Sequence, residues 1–316
     1  MNMIDTLQGS YFSEILPQGW DLERIQSCVS QPPSAVLDRQ DFWNPDFAPI
    51  PCSNLEEFGV YMGHEIAMEI RKTREEGRKL SLILPVGPMG MYRWAVYFLK
   101  AWNVCCDHVY GFNMDEWSDA EGRTLPPTDP AAFQNAMTEA FYGPLGELTV
   151  PESQRQFATA ETLPTYLAKL QALKAEGARQ VLVYGIGRMC HIAFWEPHFA
   201  AEFETEEAWM AQSHRIGARL HPFTIEQNAI TSFRSSWPLI PCYANTIGPK
   251  IIFSSDYAIG GADGVLSRGM QWQGMSFWMT LRHGPCKAIT SSFIPTLPGK
   301  LFFMEELAGP LCPDTN

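Results

Sequence analysis

Apolar positions at helical spacing alternate along this chain with short, almost wholly apolar runs. Leu55, Phe58, Met62, Ile66 and Ile70 form one helical stripe. It opens at Ser53 and Glu56, spaced as a capping box, and stops by Gly77, placed as a C-terminal cap. Leu80–Leu84 follows as a strand with apolar residues on both faces and runs into the tight loop Pro85–Gly90. Met91, Trp94, Phe98 and Trp102 return to helical spacing, and Asp107–Met114 reads as a second strand ending at Asp115-Glu116. After the Pro- and charge-rich loop Ser118–Thr128, Asp129 is expected to cap a helix with Pro130 at its first position and Phe133, Met137, Ala140 and Phe141 on its buried face. An amphipathic helix over Leu163–Gly177 leads to a strand at Val181–Tyr184. Farther on, Ile251–Phe253 and Lys287–Ile289 read as strands with a glycine-rich turn, Gly260–Gly264, between them, and Lys300–Met304 as the last strand.

Strands alternating with helices predict a three-layer, Rossmann-like α/β fold, a mostly parallel sheet with helices on both faces. No linker divides residues 51–316. Residues 1–50 are broken by Gln31-Pro32-Pro33, Asn44-Pro45 and Pro49 but carry Trp20, Phe42, Trp43 and Phe47. They are expected to form an N-terminal arm packed on the body.

Composition narrows the function classes. The chain has 316 residues, 46% hydrophobic and 18% charged, so it can bury a sizeable core. A net charge of -12 argues against nucleic acid or an anionic membrane as partner. An anionic substrate would need a few local donors to hold it against that field. No apolar run approaches membrane-spanning length, and no signal peptide is expected. The eight cysteines, Cys312 among them, show no CxxC pair and no zinc spacing. They read as reduced thiols in a cytoplasmic chain, and no metal is expected.

Chemistry concentrates at three strand ends. Pro85–Gly90 lies where a helix start can cradle an anion, although Pro88 offers no N–H and the loop no hydroxyl; it reads equally as a plain chain reversal. Asp115 and Glu116, beside Phe112 and Trp117, are either a base in a partly apolar pocket or surface caps. Val181–Pro197 presents His191 and Glu196 together, either an acid–base pair or a packed core histidine with its partner. Gly185-Ile-Gly187 opens that last loop as a partial GxGxxG; without an acidic residue placed for a ribose, no nucleotide cofactor is expected.

These stretches, in order, resemble the glucosamine-6-phosphate deaminase/isomerase family, which is related to the 6-phosphogluconolactonases. Leu82–Tyr92 resembles the family's strand and phosphate loop. Phe112-Asn113-Met114-Asp115-Glu116-Trp117 is close to its Asn-Met-Asp-Glu-Tyr and favours the deaminase branch. Gly185–Pro197 is similar to its Gly-x-Gly-x-Asp-Gly-His-Ile-Ala-Phe-Asn-Glu-Pro. Weaker similarity at Thr224–Asn228 and Ile240–Gly248 extends the resemblance over roughly residues 53–305.

The resemblance implies an aldose–ketose isomerase or deaminase for an amino sugar phosphate or a relative, without a cofactor, in a homo-oligomer. Asp115 would be the base between C1 and C2, and His191 would open the sugar ring with Glu196 supporting it. Val86, Gly87, Met89, Glu116, Gly185, Gly187, Arg188 and Lys250 would bind substrate. The chain departs from the family at three places. Met189 and Cys190 replace the Asp-Gly before the histidine, the phosphate loop has lost its hydroxyls, and the phosphate-binding Arg falls on Ile230. Arg188, Lys250 or Arg234 would then have to take over the phosphate. The alternative is a catalytically impaired sugar-binding or regulatory protein on the same fold.

Overall fold

The apolar runs assemble into ten strands in the computed structural model, which describes residues 3–266 and 270–309. In chain order they are β1 (Phe47–Cys52), β2 (Leu80–Leu84), β3 (Val109–Asn113), β4 (Asp115–Ser118), β5 (Arg155–Gln156), β6 (Arg179–Gly185), β7 (His214–Arg219), β8 (Tyr243–Ile247), β9 (Tyr257–Ala262) and β10 (Gly299–Met304). Seven form one sheet in the order β1-β10-β9-β6-β2-β3-β5, parallel at every pairing. The other three form a small antiparallel sheet, β4-β8-β7. β2 is buried at every residue, as a strand covered on both faces must be.

Neighbouring residues of β3 show the two coverings. The space beside Gly111 is filled by Tyr142, from the segment that packs on helix Gly90–Ala101. The ring of Phe112, pointing the other way, meets Tyr166 at 5.1 Å, at the start of helix Tyr166–Ala175. The three-layer α/β architecture is therefore present.

Several local expectations change. Gly260-Gly261 lies within β9 and makes no turn. The Tyr184 ring takes the side-chain space at Gly260, and a β-carbon at Gly261 would sit 2.8 Å from Met62, Phe58 and Pro88 atoms. Here glycine serves close packing of strand against helix and loop. Ile251–Phe253 belongs to no strand: Gly248 and Pro249 start a helical turn, Pro249–Ile252, whose apolar residues are buried end-on. Lys287–Ile289 also lies outside the strands; Cys286 and Ile289 make only an isolated bridge. The long helix is capped one residue later than expected. Asn54 Oδ1 accepts the Glu57 N–H at 2.9 Å, and Leu55 is exposed.

The N-terminal segment is fastened to the body by backbone acceptors. Trp20 Nε1 donates to Ala288 O at 2.8 Å and Trp43 Nε1 to Leu281 O at 3.1 Å. Strand β1 crosses the boundary expected at residue 50 and forms the sheet's edge beside β10, so part of the expected arm belongs to the sheet. The seven cysteines within the described residues are unpaired; Cys312 lies outside them. No described helix is long and apolar enough to cross a membrane.

Candidate active site

A cavity of about 640 Å³ opens at the carboxyl ends of the central strands. Its floor is the loop after β2. Gly87 has φ +110°, open to glycine, and the Tyr92 hydroxyl donates to Pro85 O at 2.6 Å. The loop after β6 lies directly against it: a β-carbon at Gly185 would be 3.2 Å from Gly87 O. Val86, Gly87, Met89, Gly185 and Gly187 all line the cavity.

At Met114 the chain passes from the parallel to the antiparallel sheet. Its N–H donates to Leu84 O at 3.0 Å, and its carbonyl accepts from Ile247 N at 2.9 Å. Asp115 therefore begins a new strand, where successive side chains face opposite ways. Asp115 lines the cavity, and burial, then the neighbouring Glu116 charge, push its carboxyl well above the usual carboxylate range.

Glu116 turns away from the cavity, which corrects its expected place in the substrate-binding set. Its Oε1 accepts the N–H groups of Phe133 (2.8 Å) and Trp117 (2.9 Å), and Oε2 that of Gln134 (2.8 Å). It caps the helix Phe133–Met137 from a distant strand. Asp129, the expected cap, instead accepts the Ala131 N–H at 2.8 Å in the preceding turn, so the helix starts later than Pro130.

His191 sits on a tight loop in which Gly187 N donates to His191 O at 3.0 Å and Cys190 N to Gly187 O at 2.9 Å. The imidazole fills the side-chain space of Gly187. Nδ1 faces Glu196 Oε2 at 3.4 Å and Thr224 Oγ1 at 3.2 Å. Glu196 is fully buried and accepts the His221 N–H on Oε1 at 3.2 Å. Burial alone would raise its carboxyl; His191, Thr224 and the His221 N–H outweigh that and hold it below the usual value. An ionised Glu196 favours the proton on Nδ1 and leaves Nε2 at the cavity wall. Thr224, from helix Pro222–Ser232, is a positioning residue that residue types and spacing did not single out.

Where the resembled family has Asp-Gly, the chain has apolar packing. Met189 is buried. Cys190 adopts φ +59°, a conformation that favours glycine, with Sγ 3.7 Å from Met279 Sδ. Burial pushes its thiol up, so it is inert packing.

The expected cations lie elsewhere. The Arg188 N–H donates to Gln227 Oε1 at 2.7 Å, while its guanidinium pairs with Glu226 and lies 5.5 Å from the Phe223 ring centre. Lys250 is exposed in a separate shallow hollow with Glu206 and Glu207, because its segment is helical and ends away from the sheet's carboxyl edge. Arg234 is exposed beyond helix Pro222–Ser232. Among the described residues no Lys or Arg lines the cavity. The wall instead has Gln227, Asn228 and a second carboxylate, Asp263, just past β9, pushed up to about 6 by burial. Reading Gly260–Gly264 as a turn hid Asp263; read as a parallel strand's end, it marks the site edge. No group of three or more described His, Cys, Asp or Glu residues is placed to hold a metal.

An open parallel sheet with its cavity at the carboxyl strand ends defines an α/β protein of the Rossmann-like class. No family model matches the chain. It is 26% identical to a glucosamine-6-phosphate deaminase of Caenorhabditis elegans over 204 residues, 64% of this chain and 70% of the relative. To that of Yersinia pestis it is 28% identical over 214 residues, 66% and 73% of the two chains. Its fold is similar to a monomeric glucosamine-6-phosphate deaminase (TM-score 0.65, 20% identity, 82% of this chain and 98% of that one). It is also similar to the 6-phosphogluconolactonase of Trypanosoma brucei (TM-score 0.58, 17% identity, 85% and 100%). The chain is thus similar in sequence to glucosamine-6-phosphate deaminases and similar in fold to a deaminase and a 6-phosphogluconolactonase.

Proposed function

We propose that this protein moves a proton on a sugar held in the cavity, as an aldose–ketose isomerase or deaminase does. One observation carries the reading. The raised carboxyl of Asp115 and the Glu196-backed imidazole of His191 come from different sheets and loops yet open on one cavity. A carboxylate whose pKa is raised by burial is a stronger base once ionised, suited to taking a proton from carbon beside a carbonyl. His191, with its proton held on Nδ1, has Nε2 free to take the anomeric hydroxyl proton and pass it to the ring oxygen as the C1–O5 bond breaks. Glu196 is a positioning residue: it stabilises the imidazolium that results. The names of the sequence relatives point to an amino sugar, and the unpaired cysteines support a cytoplasmic setting.

The test is ammonia release and ketose formation from glucosamine 6-phosphate and a panel of amino and neutral sugars, with and without phosphate. Turnover that disappears in Asp115→Asn supports the reading; no turnover across the panel removes it. The buried Met189-Cys190 pair favours a second reading, a protein that binds sugar without converting it. Sugars that raise the melting temperature yet are recovered unchanged would establish that alternative.

A further inference from the structure

We infer that the N-terminal segment, which precedes the stretch resembling the deaminases, sets the geometry of His191, with Phe12 and Ile15 as positioning residues that act through His221 and Phe223. The inference rests on the sugar reading above only for what the site does. The contacts meet at the start of helix Pro222–Ser232. The His221 N–H donates to Glu196 Oε1 at 3.2 Å, its Nδ1 accepts the Phe223 N–H at 3.2 Å, and its Nε2 lies 2.8 Å from Ile15 O. A ring nitrogen that accepts a hydrogen bond holds no proton, so the proton sits on Nε2 and is donated to the Ile15 carbonyl. The Phe12 ring stacks on that of Phe223 at 5.7 Å, and the Arg188 guanidinium lies 5.5 Å from the same Phe223 ring centre. This helix start presents Thr224 to His191 Nδ1 and Gln227 to the Arg188 N–H. Fixing it from the N-terminal segment therefore fixes the groups that aim the imidazole.

The same segment also reaches the loop that carries His191. Ile25, from helix Leu22–Val29, shares a buried apolar cluster with Cys190, Met279 and Ile289, and Trp20 and Leu22 pack against it. Arg24 anchors that helix by donating to the carbonyls of Arg282 at 3.0 Å and His283 at 3.1 Å, where helix Gly274–Arg282 ends. Cys190, next to His191 in the chain, holds φ +59° without being glycine, a conformation that persists only where the surroundings enforce it. The short helix Tyr11–Ile15 is different in kind. It has no buried residue, and Phe12 is 49% exposed. It adds little apolar burial to the fold, so its contacts with His221 and Phe223 weigh on the site more than on global stability.

The experiment compares the full chain with Phe12→Ala, His221→Asn and His221→Gln. Asparagine keeps an acceptor for the Phe223 N–H but is too short to reach Ile15, whereas the glutamine amide reaches the Nε2 position and keeps the donor. The measurements are the melting temperature, solvent exchange of the His191 Nδ1–H by NMR of histidine-labelled protein, and turnover split into kcat and KM (sugar affinity if the protein only binds). Phe12→Ala and His221→Asn are expected to melt within about 4 °C of wild type and to exchange the His191 proton at least about tenfold faster. They should lose about tenfold in kcat with KM changed by less than about threefold, while His221→Gln stays within about threefold of wild type in exchange and kcat. Unchanged exchange in either Phe12→Ala or His221→Asn, or an equal loss in His221→Gln, overturns the inference. Should the His221 variants fail to fold, Phe12→Ala, which alters an exposed ring, decides alone. If wild type neither converts nor binds any sugar, the sugar reading falls, and the exchange measurement still decides whether the segment positions His191.

Discussion

The imidazole of His191 occupies the space a side chain at Gly187 would need. The glycine is required by the ring that folds back over it, four residues along the same loop. Gly187→Ala is therefore expected to push His191 off Glu196 and Thr224. Turnover, or sugar affinity if the protein only binds, should fall by about 10²-fold. The overpacking should cost roughly 1–3 kcal/mol of stability. Steady-state kinetics and urea unfolding check both; an alanine variant with wild-type activity contradicts the contact's importance.

Asp263 imposes a pH-dependent cost on folding. Its folded pKa of about 6 lies above the ordinary carboxylate value of about 3.9. The penalty for carrying charge in the cavity is absent below the lower value and grows as pH rises through the higher one. Asp263→Asn should match wild type near pH 4 and exceed its stability by roughly 1–3 kcal/mol at pH 8. Asp115, the other carboxylate on the wall, is present in both proteins. Melting curves at the two pH values decide it; a less stable variant at pH 8 would falsify the assignment of the cost.

Glu116→Ala removes the cap of helix Phe133–Met137 and leaves three N–H groups, two of them buried, without their acceptor. A loss of roughly 2–4 kcal/mol is expected, larger than for an ordinary exposed cap. Since Phe133 and Ala136 line the cavity, affinity should weaken as a consequence of helix movement. Chemical denaturation measures the first effect; wild-type stability would show that the carboxylate is not the cap.

Lys250→Ala tests the opposite placement. The exposed amine lies in a hollow apart from the cavity, so sugar affinity should stay within about twofold of wild type. A large loss would mean that Lys250 reaches the ligand after all.

Local chemistry determined much of this protein on its own. β2 falls at Leu80–Leu84 as the apolar run predicts, and β6 contains the predicted Val181–Tyr184, because strands buried on both faces have little freedom in composition. His191 and Glu196 share one loop, so their spacing alone was enough to pair them. What sequence pattern missed depends on direction or on distance in the chain. Asp115 and Glu116 look equivalent until β4 exists; then strand alternation sends one carboxylate to the cavity and the other to a helix cap.

Tertiary structure decided the rest. The glycines of β9 are demanded by Tyr184, Phe58 and Pro88, residues far away in sequence, and no local rule distinguishes that demand from a turn. Thr224, Gln227 and Asn228 arrive on a helix from another part of the chain, and Arg188 and Lys250 are drawn to acidic or solvent-facing neighbours. The family-like stretches thus determined that a His–Glu pair and a neighbouring carboxylate, Asp115, would be present. Only packing across the sheet set the sign of charge around them, because a cavity's field is a sum over side chains that meet only when the chain has folded.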